Sequence, residues 1–342
     1  MTDEQKKTVL LAHGGGGRLT SDLIEKTILS RFKNDTLGQL TDAACIDTGS
    51  SQILFTTDSF VVKPLFFNGG DIGKLAICGT VNDLAVSGAD PKALSLSLII
   101  EEGLPMETLE TILSSAAATA EKAGVPVVTG DTKVVERSAA DGIFINTAGI
   151  GTKMANVNLS FDRIAPGDKI IINGTIGDHG MTIMSQREGI KFDSPTKSDC
   201  ACLNDLVATV LKASPNAIKF MRDPTRGGVA ATLNEVASST GLNIELIENA
   251  LPIDTTVRAA ADMLGFDLLD IANEGKVIMV VASEAAEDIL QACKAHPLGE
   301  ASAVIGTVLE ADESAAAVEI VTAIGGRRVV QMPYGRELPR IC

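Results

Sequence analysis

Asp71-Ile-Gly-Lys-Leu-Ala-Ile-Cys-Gly-Thr-Val-Asn-Asp-Leu-Ala-Val-Ser-Gly-Ala-Asp-Pro91 decides how the chain is read. Asp71 is placed to N-cap a helix that runs through Asn82 and Asp83 to Ser87, and Gly88 is placed to end it, with Asp90-Pro91 beyond. Asp83 is the only charge between Lys74 and Asp90. A carboxylate on so apolar a segment needs a cation or strong donors, because an unpaired buried charge is costly. Strands flank the helix. Ile53-Leu-Phe-Thr-Thr57 reads as a strand stopping at Asp58-Ser59, and Ala93–Ile100 as a buried strand. Pro105 opens a long helix that ends at Gly124. Val125-Pro-Val-Val-Thr129 is a strand ending in Gly130-Asp131-Thr132-Lys133, and Ile143–Ile150 is another.

From about Asn156 a second α/β unit is expected. A strand at 168–173 leads through Gly174-Thr-Ile-Gly-Asp-His-Gly180 into a helix capped by Asp178. A strand at 218–221 precedes Arg222-Asp-Pro-Thr-Arg-Gly-Gly228 and a helix to Thr240. Further helices at 254–264 and 284–294 and strands at 276–281, 302–308, 317–321 and 327–332 follow. Upstream, His13-Gly-Gly-Gly-Gly17 is a glycine loop before a helix from Ser21 to Phe32. Strands and helices joined by glycine-rich turns indicate a mixed α+β fold. The expected division is 1–39, 40–155, 156–332 and a tail 333–342.

The 342 residues carry a formal net charge of -15, with no Trp and one Tyr. An acidic chain so poor in aromatics is a poor partner for nucleic acid or anionic membrane. No uncharged apolar run reaches the length of a membrane span, and the start lacks a signal-peptide core. The six cysteines (45, 78, 200, 202, 293 and 342) are scattered, which suits a reducing cytoplasm. The lone Cys200-x-Cys202, in a chain with three His, does not make a zinc site.

Asp42, Asp58, Asp83, Asp131 and Asp223 stand at turns, strand ends or on apolar helix surface. Singly, each reads equally as a cap or turn residue; together they suggest convergence. Oxygen ligands alone favour Mg²⁺, and Mg²⁺ usually accompanies phosphate. Neither a Walker loop nor a Rossmann fingerprint is present, so a nucleotide site here must be of another kind. Glu274, in Asn273-Glu-Gly275, is a candidate general base with Lys133 as its proton relay, although a turn acid and a surface lysine explain either alone. The chain closes with Pro339-Arg-Ile-Cys342. Pro333, Gly335 and Pro339 oppose helix, so 333–342 is expected to be an extended, movable arm that ends in a thiol.

These motifs, with Asp42-Ala-Ala44, Thr57-Asp-Ser59, Val81-Asn-Asp-Leu-Ala85 and Gly130-Asp-Thr-Lys-Val-Val135, resemble the HypE family of carbamoyl dehydratases in NiFe-hydrogenase maturation. The wider resemblance is to the superfamily of aminoimidazole ribonucleotide synthetase and selenophosphate synthetase. It covers essentially the whole chain, and the closing Pro-Arg-Ile-Cys is what singles out HypE. The resemblance implies a two-domain protomer with a flexible tail, which forms a homodimer through its N-terminal domain. It places Asp42, Asp58, Asp83 and Asp223 around Mg²⁺ and ATP, with Asp42, Asp83 and Asp223 on the metal and Asn82, Asp131 and Thr132 joining the nucleotide site. It implies that HypF loads a carbamoyl group onto Cys342 and that ATP-dependent dehydration yields a thiocyanate. The cyano group then passes to iron on a HypC–HypD complex. Two other functions fit these residues: a superfamily synthetase or kinase acting on a free small molecule, and a non-catalytic carrier of a modified cysteine.

Overall fold

The computed structural model describes residues 11–342 except 16, 33, 50, 191–195, 215, 312–315 and 335–339. The expectations placed on Gly16, Gly335 and Pro339 lie outside the described residues.

The first half builds strands β1 (Ala44–Asp47), β2 (Gln52–Phe60), β3 (Phe66–Phe67), β4 (Gly70–Asp71), β5 (Ala89–Glu101), β6 (Val127–Val135) and β7 (Ile143–Lys153). Five of them form one sheet in the order β1-β2-β7-β5-β6, parallel only between β5 and β6, while β3 and β4 form a small ribbon. The second half adds β8 (Lys169–Ile172), β9 (Ile218–Arg222), β10 (Asn243–Ile247), β11 (Ile278–Val281), β12 (Ala303–Leu309), β13 (Val318–Val321) and β14 (Arg327–Val329). These make a seven-stranded sheet in the order β14-β13-β10-β12-β8-β11-β9.

The helix that organises the reading spans Ile72–Val86, with the Asp71 carboxylate accepting from the amides of Gly73 and Lys74. Nearly every residue of it is buried. Small residues make that possible: a Cβ at Gly79 would lie 2.8 Å from the Phe60 ring, and one at Gly149 of β7 would lie 2.8 Å from Thr80. The helix therefore sits close against the inner face of the first sheet. Its far side meets the second half, and one continuous core runs from Phe60 and Leu75 to Ile170, Phe220 and Val229.

The outer face of the first sheet is different. Ile46, Phe55, Ile99 and Ile150 are exposed apolar residues there, with Phe55 directly opposite Ile150. By register with Ser97 and Ile99, Asp131 and Lys133 share this face.

Some expectations change. β2 does not stop at Asp58 but continues to Phe60, because Asp58 and Ser59 pair with Thr147 and Asn146. The Gly130–Lys133 stretch lies inside β6 rather than at its end, pairing in parallel with β5. The helix expected from Ser21 begins at Arg18 and passes through a π-helical turn at Ile24–Leu29. Gly177, at φ +82°, precedes the helix Asp178–Arg187, so Asp178 is its first residue and not its cap.

Candidate active site

The ends of β2, the helix Ile72–Val86 and the turn after β9 border a cleft of about 770 Å³. Asp42, Asp58, Asp83, Asp223, Glu274 and Cys342 all line it. Gly17, Arg18, Thr20 and Ser21 close one side, bringing part of the N-terminal glycine stretch to the cleft.

The acids strain against one another. Burial, reinforced by Asp58, Asp223 and Asp42, lifts the Asp83 pKa well above the carboxylate range; the Thr56 hydroxyl, donating at 2.8 Å, only partly opposes this. Burial with Asp42 and Asp58 nearby pushes Asp223 up to about 8. Asp58 is raised by burial too, against the pull of Arg226. Asp42 is raised by burial although Arg222 Nε stands 3.0 Å from its carboxylate. Arg222 is further occupied by an ion pair with Glu235. Buried like charges in such number call for added positive charge.

Among the described residues, no three carboxylate, imidazole or thiol side chains form a ready-made metal cluster. The donor chemistry nonetheless fits a hard divalent cation: it is all oxygen, and crowding among buried acids raises the carboxyl pKa values in the direction that added positive charge would reverse.

Glu274 is buried, and among the described residues its Oε1 has no hydrogen-bond partner. Burial, with Cys200, Asp199, Asp223 and Asp58 near, raises its pKa well above the usual value. Its main chain is fixed from beneath: Asp199 accepts from the Glu274 amide at 3.2 Å and from the Gly275 amide at 3.1 Å, and pairs with Lys276 at 3.2 Å. Burial opposes the charge on Asp199, but Lys276 and the Glu274 amide hold its pKa below normal. A Cβ at Gly275 would stand 2.0 Å from the Asp199 carbonyl, so only glycine admits this approach.

Cys342 reaches the cleft because the end of the arm is docked. Ile341 is buried in the core, and the Val61 amide donates to the Cys342 main-chain oxygen at 3.1 Å. Arg340 pairs with Asp141 and donates to the Val61 carbonyl at 3.0 Å. Burial pushes the Cys342 thiol up to about 12, with Arg226 opposing and Glu274, Asp58 and Asp223 adding to the rise. In their ionised forms Cys342, then Asp58, Glu274 and Asp83, raise Arg226 in turn, against the cost of its burial.

Other expected residues lie elsewhere. Asn82 is buried with both amide protons used: Nδ2 donates to Ala201 and Glu274 carbonyls at 3.0 and 3.2 Å, and Oδ1 accepts from Leu203 N at 2.8 Å. It ties the two halves together and has no donor left for a nucleotide. Asp131, Thr132 and Lys133 are exposed on β6 and do not line the cleft. Lys133 Nζ is paired with Asp131 at 2.6 Å, so within one chain it does not meet Glu274. Sequence reading passed over Arg226, Asp199 and His179. Arg226 sat in the noted Asp223-Pro-Thr-Arg turn and His179 in the noted Gly174–Gly180 turn, but nothing local marks the partners of Asp199 and His179, which lie some 75 and 162 residues away.

The N-terminal domain family of AIR synthase related proteins matches residues 40–153, and the C-terminal domain family matches 165–319. Carbamoyl dehydratase HypE of Rhizobium leguminosarum bv. viciae is 49% identical over 97% of this chain and 94% of its own length. The Azotobacter vinelandii HypE is 47% identical over 99% of both. Among solved structures, HypE in a HypE–HypF complex superposes with a TM-score of 0.86 at 47% identity, covering 91% of this chain and 99% of its own. HypE in complex with ATP gives 0.82 at 45% identity, covering 98% and 100%.

Proposed function

The chain belongs to the HypE family of carbamoyl dehydratases, within the AIR synthase related proteins, and from this we propose that it uses ATP to dehydrate a carbamoyl group carried on its own Cys342, leaving a thiocyanate. One observation carries the reading: Cys342 lines the same cleft as Asp42, Asp58, Asp83, Asp223 and Glu274. ATP binding is taken over from the relative solved with ATP, and HypF as partner from the relative solved with HypF. HypF would load the carbamoyl group, and a HypC–HypD complex would receive the cyano group for the iron of a NiFe hydrogenase.

In the proposed reaction the carbamoyl oxygen on Cys342 attacks the γ-phosphorus of ATP and ADP leaves. The C–O bond then breaks, phosphate departs with that oxygen, and nitrogen gives up its two protons as the C≡N bond forms, one to Glu274 and the other to the departing phosphate. Glu274 takes a proton from nitrogen; its Oε1, without a partner among the described residues, and its raised pKa make it a holder of that proton. Arg226 faces the thiol and the acids and stabilises negative charge there. Asp42, Asp83 and Asp223 would hold Mg²⁺, whose bound charge would offset that of the transferring phosphoryl group. The Val61 and Arg340 contacts hold the arm, while the wall at Gly17–Ser21 limits water in the cleft.

The apolar outer face of the first sheet supports a homodimer through residues 40–155, with 156–332 as the second domain, 1–39 as the glycine-rich segment and helix and 333–342 as the arm. A second copy over that face would bury Ile46, Phe55, Ile99 and Ile150. It would also carry Asp131, Thr132 and Lys133 toward the neighbouring protomer's cleft, giving Lys133 its relay role across the interface. Among the described residues no helix is long and apolar enough to cross a membrane, and a cytoplasmic site of action is part of this proposal.

Cys342→Ala tests the reading. It should leave the fold intact and abolish cyanide formation in the presence of HypF, carbamoyl phosphate and ATP; undiminished formation by the variant would sink it.

A further inference from the structure

The docked end of the arm is held through its main chain. Arg187 Nη2 donates to the Arg340 carbonyl, His179 Nε2 to the Ile341 carbonyl at 2.8 Å, and Val61 N to the Cys342 main-chain oxygen at 3.1 Å. Three successive residues are thus each held by a donor, two of them from the helix Asp178–Arg187 and one from the residue following β2.

The central contact is the buried one. His179 has no solvent exposure, and Phe67 packs edge-on against its ring at 5.4 Å. A carbonyl can only accept, so Nε2 must carry the proton. Nδ1 then accepts from the Ser198 hydroxyl at 2.8 Å. Ser198 Oγ already accepts from the Cys200 amide at 3.1 Å, which turns its own proton toward the ring. Burial lowers the His179 pKa, against the influence of Asp199, and favours this neutral form.

We propose that His179 is the positioning residue of the Cys342 arm: its Nε2–H, aimed by Ser198, fixes the register at which Ile341 docks and so brings the Cys342 thiol to Asp58, Arg226 and Glu274. The main-chain grip sets where the arm stops, and burial of Ile341 seals that position. A slip of one residue would move the thiol away from the acids. A single neutral hydrogen bond shifts such a docking equilibrium by on the order of fivefold to tenfold. That is enough to set register, and small enough for the arm to leave again. The inference deepens the reading of Cys342 as substrate arm and rests on it, but docking and chemistry are measured separately.

The test uses the full-length protein and the rate of Cys342 alkylation by iodoacetamide, followed by mass spectrometry of the tail peptide. A docked thiol, half-buried and with its pKa pushed up to about 12, should react slowly. His179→Phe keeps the ring and loses the donor, and should raise the alkylation rate on the order of fivefold to tenfold. His179→Gln can place an amide N–H where Nε2 stands and should restore slow alkylation. Ser198→Ala, which releases the tautomer, should also raise the rate, and it carries the test if the Phe variant does not fold. Alkylation unchanged in the Phe variant, or in Ser198→Ala if that variant alone folds, overturns the proposal, as does a Gln variant as fast as Phe. Dehydration that survives Cys342→Ala would instead overturn the substrate reading, leaving the alkylation result to stand or fall alone.

Discussion

Asp223→Asn offers a quantitative check on the crowded acids. In the folded chain, burial with Asp42 and Asp58 close by pushes the Asp223 pKa up to about 8; unfolded, it returns to about 3.9. The folded state therefore holds a proton that the unfolded state has already lost across this interval. A carboxyl raised in this way contributes stability that is full below the unfolded pKa and is lost as pH rises through the folded one. One such proton is worth about 1.4 kcal/mol per pH unit. Between about pH 6 and 7.5 the wild type should lose roughly 2 kcal/mol more than the Asn variant. The assay is urea unfolding at several pH values without nucleotide or divalent metal, read as the change in unfolding free energy. Asp83, raised by the same neighbours, leaves some slope in the variant. Saturating Mg²⁺ and ATP should flatten the wild-type slope, since added positive charge favours the ionised acids. Equal slopes for wild type and variant would refute the claim that repulsion among these acids governs the cleft.

Three further outcomes are expected. Glu274→Gln should accept the carbamoyl group on Cys342 yet dehydrate it slower by about 10²–10⁴-fold, the usual range for loss of a general base; a single-turnover assay separates the two steps. Asp199→Asn should destabilise the protein by about 3 kcal/mol or more in urea unfolding, because it strips Lys276 of its close carboxylate and weakens the grip on the Glu274 and Gly275 amides. Lys133→Ala and Glu274→Gln protomers, each poorly active alone, should recover activity when mixed and allowed to exchange, whereas no recovery would place Lys133 outside the partner's site.

The sequence marked the helix Ile72–Val86 well because its signals are local: the Asp71 cap, the apolar run and Gly88 all lie within a few residues of it. The helix Met106–Ala123 was legible for the same reason, between Pro105 and Gly124. Strand ends were not. Asp58 and Asp131 looked like residues just past a strand, but pairing with β7 and β5 carries both strands through them. Such pairing is set by neighbours distant in sequence. β1 and β10 were missed on the same account: each is short and takes its place from a partner, β1 from β2 and β10 from β12 and β13. In the site, Asp83 stood out as a charge on apolar ground and Asp42, Asp58 and Asp223 as turn or strand-end acids, and the structure lines one cleft with all four. Asn82 stood in the same motif as Asp83, yet one residue along a helix turns a side chain to another face. It spends its amide on Ala201, Leu203 and Glu274 instead. His179 stood in the noted Gly174–Gly180 turn, but its role gave no local sign, since its partner Ile341 is 162 residues away.

The most direct test of the central claim is mass spectrometry of the peptide containing Cys342 after incubation with HypF, carbamoyl phosphate, Mg²⁺ and ATP. A carbamoyl adduct should form on Cys342 and, only when this chain's own ATP site is intact, lose one water to become the thiocyanate; Asp83→Asn should stop at the carbamoyl adduct. An adduct that persists unchanged while the wild-type chain consumes ATP would contradict the account, as would dehydration that proceeds equally well in the Asp83→Asn variant.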